Sequence, residues 1–174
     1  MGRVWFACKR FDRGVANTRI HSHSAAGLVH ADFRLSSLDY LDLIKLTKAL
    51  TKREDDKLSM YRLAVFNAVF HNRDDHAKNF SFIMSSLGQW RLAPAYDLTY
   101  CAGPGGEHTT SFVGEGNKIG ELQLKKLAAE VGIDKITAKN IVDEVLSGIS
   151  FLKSELKQYG IKTSALSKVF DWPL

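Results

Sequence analysis

Cysteine is nearly absent from this sequence, as are long apolar runs and blocks of like charge, and each shortage removes a class of protein. Two cysteines in 174 residues, Cys8 and Cys101, give no disulfide framework and fit a reducing cytoplasm. No apolar stretch approaches the ~20 residues that span a bilayer, so no membrane contact is expected. The N-terminal apolar segment is too short for a secretory leader. Phe6 stands where an acylation motif after Met1-Gly2 wants Ser or Thr. The net charge of +5 permits acidic partners. No five Lys or Arg occur together, however, so the surface reads as moderately basic and soluble. Internal repeats, low-complexity tracts and linkers after Asp12 are also missing. What is there is ordinary globular material, 45% hydrophobic and 25% charged. One domain of this length buries roughly 70% of its unfolded surface.

The pattern along the chain is mainly helical. Val4-Trp5-Phe6-Ala7-Cys8 is a short β-branched and aromatic run that predicts a strand. An irregular region follows, with His21, His23 and His30 in it. Ser36 or Ser37 then suits the cap of a helix through residue 50, with Leu38, Leu41, Ile44 (or Lys45) and Leu46 on its apolar face. Residues 54–70 carry the strongest helical pattern. Leu58, Tyr61, Val65, Ala68 and Val69 form one stripe and Phe66 and Phe70 widen it, as in a central, buried helix. Residues 79–84 alternate like a strand, Leu87-Gly88-Gln89 offers a turn, and Trp90-Arg91-Leu92 returns as a second strand. Pro94 excludes a helix after it. Helices are predicted over residues 121–131, capped by Gly132, over 138–158, ended by Gly160, and in short form over 165–170. The fold class is therefore α+β, mainly α, with a small β-hairpin.

The chemistry is concentrated in His71-Asn72-Arg73-Asp74-Asp75-His76-Ala77-Lys78-Asn79, a polar cluster between apolar runs. Phosphoryl transfer needs a carboxylate to orient the attacking hydroxyl and accept its proton, and oxygen ligands that hold Mg²⁺ against nucleotide phosphates. Asp74 suits the base, Asp97 the main metal ligand and Asn79 the second oxygen. Lys78 lies where it can balance charge on the transferred phosphate. The hairpin should return the residue leaving its second strand toward the residue entering its first, bringing Asp97 near Asn79.

Two motifs in order, Asn72-Arg73-Asp74-Asp75-His76-Ala77-Lys78-Asn79-Phe80-Ser81-Phe82 and Trp90-Arg91-Leu92-Ala93-Pro94-Ala95-Tyr96-Asp97-Leu98, resemble the C-terminal domain of the HipA family. The similarity runs from Lys9-Arg10-Phe11-Asp12-Arg13 to the terminal helices. It implies a protein-kinase-like C-lobe of a bacterial toxin kinase that uses ATP and Mg²⁺ to phosphorylate Ser or Thr in a protein substrate. It implies a HipB-like DNA-binding antitoxin as partner, with DNA reached only indirectly. Asp74 would be the proton acceptor, and Asn79 and Asp97 the metal ligands. His76, Ala77, Lys78 and Asn79, with Tyr96 and Asp97, would line the nucleotide phosphates. Lys9, Arg10 and Phe11 would match the hinge that meets adenine.

HipA-like kinases carry a Gly-rich phosphate loop and an ATP-gripping Lys ahead of this region. No G-x-G-x-x-G occurs in the sequence, and the glycines between Gly114 and Gly120 have the wrong spacing and read as a turn. Residues 1–174 are thus expected to be a single C-terminal-type domain without its N-lobe. Such a chain is expected to be a weak kinase, served by a separate N-lobe chain, or a truncated, non-catalytic module that binds an antitoxin or partner.

Several residues carry plainer readings. Asp75 is either a supporting carboxylate or an exposed loop acid. His76 reads as structural, through the Asp97 region or loop carbonyls. His21, His23 and His30 lack the cysteine partners of a zinc site and read as loop histidines. Thr109, Thr110 and Ser111 read as polar loop filler where a kinase places its activation segment. A hydrolase triad of Ser111, His108 and Asp97 lacks the G-x-S-x-G nucleophile turn. Trp5, Trp90 and Trp172 read as packing residues.

Overall fold

The computed structural model describes residue 5, residues 7–32 and residues 38–160. Three strands, β1 (His21–Ser24), β2 (Ser81–Met84) and β3 (Trp90–Leu92), form one antiparallel sheet in the order β1-β2-β3. Around it lie α1 (Ala25–Leu28), α2 (Tyr40–Thr51), α3 (Glu54–Phe70), α4 (Glu121–Glu130) and α5 (Lys135–Gln158). The architecture is mixed and mainly helical, as the periodicity predicts. Among the described residues no helix is long and apolar enough to cross a membrane.

The sheet has one strand more than the hairpin expected. His21 and His23 belong to β1, where His23 pairs with Phe82 and His21 with Met84. A polar His-Ser-His-Ser strand carries little hydrophobic signal, and it exists because β2 offers it an edge. The described residues of the predicted first strand, Trp5, Ala7 and Cys8, are exposed and in no strand. Trp5 is 77% exposed and so is no core residue. The Ser36 or Ser37 cap, the helix over 165–170 and Trp172 lie outside the described residues.

The cap of α2 is Asp39, whose carboxylate accepts from Leu41 N at 2.8 Å. The buried face is also turned from the predicted one: Tyr40, Leu43, Ile44, Thr47 and Thr51 are buried, and Leu41 and Leu46 only partly so. Two threonines can be buried there because each hydroxyl donates to a carbonyl one turn back, Thr47 to Leu43 and Thr51 to Thr47. On α5 the helix starts before the predicted Ala138, because Asp134 caps it through Ile136 N and Thr137 N.

The central element is α3, which packs against α2, α5 and β3. Its apolar girth buries Met60, Tyr61, Ala64, Val65, Ala68 and Val69. Three polar side chains go in with them, and each has a partner. Asp56 accepts from Arg91 Nε at 3.0 Å, fastening β3 to the helix. Lys57 reaches the carbonyls of Val131 and Gly132 behind α4, and Asn67 takes part in the network described below. The strand entering the sheet begins at Ser81; Asn79 belongs instead to a 3-10 turn, Ala77–Asn79.

Tyr61 donates to Leu124 C=O at 3.1 Å, and burial pushes its phenol up to about 12. A folded-state value above the unfolded one near 10 stabilises the fold below pH 10, a contribution lost as pH rises toward 12. Tyr61→Phe should cost about 1 kcal/mol at neutral pH and flatten the fall in stability between pH 10 and 12, read from urea midpoints across that range.

Candidate active site

The end of α3 launches the polar cluster. His71 takes a left-handed conformation (φ 53°), and Asn72 N donates to Asn67 C=O at 2.9 Å, closing the helix. Residues 71–73 then run beside Cys101: Cys101 N donates to His71 C=O at 3.0 Å and Arg73 N to Cys101 C=O at 3.3 Å. Gly103 lets the two loops touch. Its φ is 68°, and a Cβ there would sit 2.3 Å from Glu107 O and 2.8 Å from Arg73 Cβ. Arg73 Nη1 donates across the same contact to Ala102 C=O at 3.0 Å.

Adjacent aspartates have opposite fates. The Asp74 side chain is 54% exposed, with His76 Nε2 at 4.0 Å. Asp75 is 0% exposed and accepts four hydrogen bonds. Oδ1 takes Thr109 N at 2.9 Å and Thr110 N at 3.2 Å, while Oδ2 takes Tyr40 Oη and His108 Nδ1, both at 2.8 Å. Of the two readings of Asp75, the supporting carboxylate holds, and the exposed loop acid is excluded. Burial, then the Asp75 charge, pushes the Tyr40 phenol well above its ordinary range, so it stays protonated and donates. Behind Tyr40, Asn67 Nδ2 donates to its oxygen at 2.7 Å and Asn72 Nδ2 donates to Asn67 Oδ1 at 3.0 Å.

This network absorbs residues taken for loop filler. His108, Thr110 and Phe112 are buried at 4%, 1% and 0% exposure, and Ser111 Oγ donates to Asp39 at 2.7 Å. The hydrolase triad is not assembled, since His108 binds Asp75 and Ser111 binds Asp39. Sequence reasoning missed Tyr40, Asn67 and His108 as a unit. The available signal was Asn67, a carboxamide in the middle of an otherwise apolar helical face.

On the other side of the loop, Tyr96 and Asn79 make further bonds. Tyr96 Oη donates to Lys78 C=O and lies 2.6 Å from Ser81 Oγ. Burial, with the Asp97 charge adding to it, raises the Tyr96 phenol. Asn72 Nδ2 also lies 3.5 Å from Asp97 C=O, a long contact. The Asp97 segment is therefore tied next to Asn79, with Asp97 itself exposed and at φ 56°, a conformation aspartate tolerates better than most residues. Asn79 Nδ2 donates to Asp74 C=O at 2.8 Å, which leaves Oδ1 as the amide atom able to meet a cation. Asn72 Oδ1 is buried with no hydrogen-bond partner. Phe11 packs on Tyr96 with ring centroids 5.5 Å apart. Arg10 is held by Asp12 at 2.7 and 2.6 Å, the chief reason the Asp12 carboxyl falls to about 2. Lys9 and Lys78 are exposed, His76 is half-buried and Ala77 is buried.

Among the described residues no three His, Cys, Asp or Glu side chains gather as a metal centre. The donors present, one carboxylate and one carboxamide oxygen, suit a hard cation that keeps waters and phosphate oxygens as its other ligands. A groove of about 780 Å³ lies elsewhere, between the end of α2 and the hairpin tip, and none of the predicted site residues lines it.

The model of the family described as HipA-like C-terminal domain matches residues 1–150. No curated protein matches the chain. A chain in the solved structure of the Shewanella oneidensis MR-1 toxin–antitoxin system HipA, HipB and its operator DNA superposes with a TM-score of 0.67. Its sequence identity is 18%, and the alignment covers 80% of this chain and 38% of that one. The likeness shows a shared fold, and the chain spans well under half of that relative's length.

Replacing Tyr96 by Phe removes the bonds to Lys78 C=O and Ser81. It should destabilise by about 1 kcal/mol, and hydrogen exchange should rise at residues 95–99 without a rise in α5.

Proposed function

Because the chain belongs to the HipA-like C-terminal domain family, we propose that it supplies the catalytic half of an ATP- and Mg²⁺-dependent Ser/Thr protein kinase of the toxin type, acting in the cytoplasm. The observation that carries this reading is the fastening of Tyr96 to Lys78 C=O. It sets the Asp97 segment beside the loop that bears Asp74 and Asn79. Two of the three side chains this chemistry needs, Asp74 and Asp97, are exposed carboxylates. In a kinase-like C-lobe such a surface faces the nucleotide.

In this reading Asp74 orients the substrate hydroxyl and accepts its proton. Asp97 and Asn79 Oδ1 would hold Mg²⁺, which when bound neutralises charge on the phosphates. Lys78 adds a cation near the transferred group, and Phe11 and Tyr96 offer an aromatic wall toward the base. His76, Ala77, Lys9 and Arg10 complete the lining in this reading, with Arg10 already engaged by Asp12. A HipB-like antitoxin is the proposed partner, with DNA bound through it.

Nucleotide grip is the weak side of this surface. Orientation of reactants can supply roughly 7–11 kcal/mol of a barrier, and one preorganised charge-stabilising donor about 2.7–4 kcal/mol. The Gly-rich loop and the Lys that would provide much of both are not among these 174 residues. We therefore expect weak turnover from this chain by itself and a large gain when an N-lobe is supplied in trans.

Mg²⁺-ATP at a hundred times its Kd should stabilise the chain by about 2.7 kcal/mol, seen as a rise in Tm. Chelation of Mg²⁺ or Asp97→Ala should abolish the rise. A wild-type melting curve indifferent to saturating Mg²⁺-ATP would instead mark a non-catalytic module that docks an antitoxin or partner chain.

A further inference from the structure

We propose that Asp75 is a positioning residue whose buried carboxylate locks the loop over residues 107–117 against the loop bearing Asp74, doing for that segment what a covalently attached phosphate does in a switchable kinase. The proposal rests on the kinase reading for the loop's role in catalysis, but the locking itself is independent of that reading.

The loop has no hydrophobic period and several small polar residues, so its own preferences do not fix it. Two carboxylates hold it, beside the buried Phe112 ring and backbone bonds such as Ser111 N to Leu38 C=O. Asp75 accepts from Thr109 N, Thr110 N and His108 Nδ1, three consecutive residues of the loop, while its fourth bond goes to Tyr40 on α2. Thr110 Oγ1 donates in addition to the Asp75 carbonyl. Asp39 takes the next stretch, accepting from Ser111 Oγ at 2.7 Å, Val113 N at 3.1 Å and Gly114 N at 2.8 Å. Thr109 Oγ1 then closes onto Arg73 C=O at 3.1 Å, one residue from Asp74.

The Asp75 carboxylate accepts from the Tyr40 hydroxyl and two backbone N–H groups and meets the His108 ring at Nδ1. An anion that gathers backbone N–H groups and a ring N–H orders a segment in the way an added phosphate does. Here the anion is built into the neighbouring loop. The hydroxyls that a modifying enzyme would want are already engaged: Thr110 is 1% exposed and Ser111 is bound to Asp39. Loop 107–117 is thus set permanently, with Asp74 as the neighbouring residue it helps to orient.

The test uses the 174-residue chain with Asp75→Asn, which keeps volume but has one accepting oxygen, so it cannot serve the Tyr40 and His108 pair and the Thr109 and Thr110 amides together. Amide exchange at Thr109 and Thr110 should rise at least tenfold, with amides of α3 and α5 changing less than twofold. Affinity for Mg²⁺-ATP should stay within threefold of wild type, because Tyr96 holds the Asp97 segment separately. Whatever phosphotransfer wild type shows, alone or with an N-lobe in trans, should fall at least tenfold at unchanged KM for ATP. Exchange that stays within twofold of wild type at the loop, or that rises equally throughout the core, overturns the proposal, as does undiminished phosphotransfer from a loosened loop. Should Asp75→Asn fail to fold, Tyr40→Phe removes one donor and keeps the ring, and the same localised exchange decides. A wild type that binds no Mg²⁺-ATP defeats the kinase reading while the exchange data still judge the lock.

Discussion

A carboxylate taken fully out of water must find donors for its lone pairs, because leaving them unmet costs far more than any packing gain returns. Asp75 meets that demand with groups from two places in the chain: Tyr40 at the first turn of α2, and His108 with the amides of Thr109 and Thr110 from a loop over thirty residues downstream. The Tyr40 ring then becomes a packing surface in its own right, against Phe112 at 4.3 Å and Phe80 at 5.6 Å between centroids. Aromatic contacts in such offset or edge geometries add to the area they bury. One polar requirement therefore fixes the start of α2, the loop after residue 107 and the entry to β2.

The same network constrains what α3 can be. Asn67 sits on its buried face and is satisfied only because Tyr40 and Asn72 stand at its two ends. Asp56 and Lys57 at the other end of the helix solve the same problem differently, by fastening β3 and the turn after α4. The helix is apolar enough to be central and polar enough to determine which partners surround it. Partly satisfied polar networks are costly and fully satisfied ones specify a unique arrangement.

Much of the architecture was legible because it rests on periodicity. The buried stripe of α3, the β2–β3 hairpin, α4 and most of α5 follow from apolar spacing, which is a local property. The helix limits that differ have local causes that sequence reading can weigh wrongly, as with Asp134 capping α5 before its first apolar residue. Strand β1 was not legible. His21 and Ser22 become a strand only because Met84 and Ile83 lie across from them, and nothing in a polar tetrapeptide announces an edge supplied sixty residues later. The candidate site divides the same way. Asp74, Asn79 and Asp97 stand out by residue type, spacing and family likeness, whereas the relation of Asp75 to His108 is a contact across 33 positions that no local pattern encodes.

The opposite exposure of Asp74 and Asp75 explains how a loop can be firm and still present a charged side chain to solvent. Neighbouring residues in an extended stretch point apart, so burying one side chain turns the next toward solvent. Asp75 anchors inward and fixes the backbone; Asp74 is thereby held outward, its side chain 54% exposed. Asn79 repeats the device, donating from Nδ2 to the Asp74 carbonyl while its oxygen remains available. Asp97 completes it: its backbone lies between the Tyr96 anchor and Asn72 while its side chain stays in water. Positioning of this kind does not require the chemical groups to be buried. It requires their neighbours to be, and here the buried neighbour is in each case a residue adjacent in sequence or one hydrogen bond away.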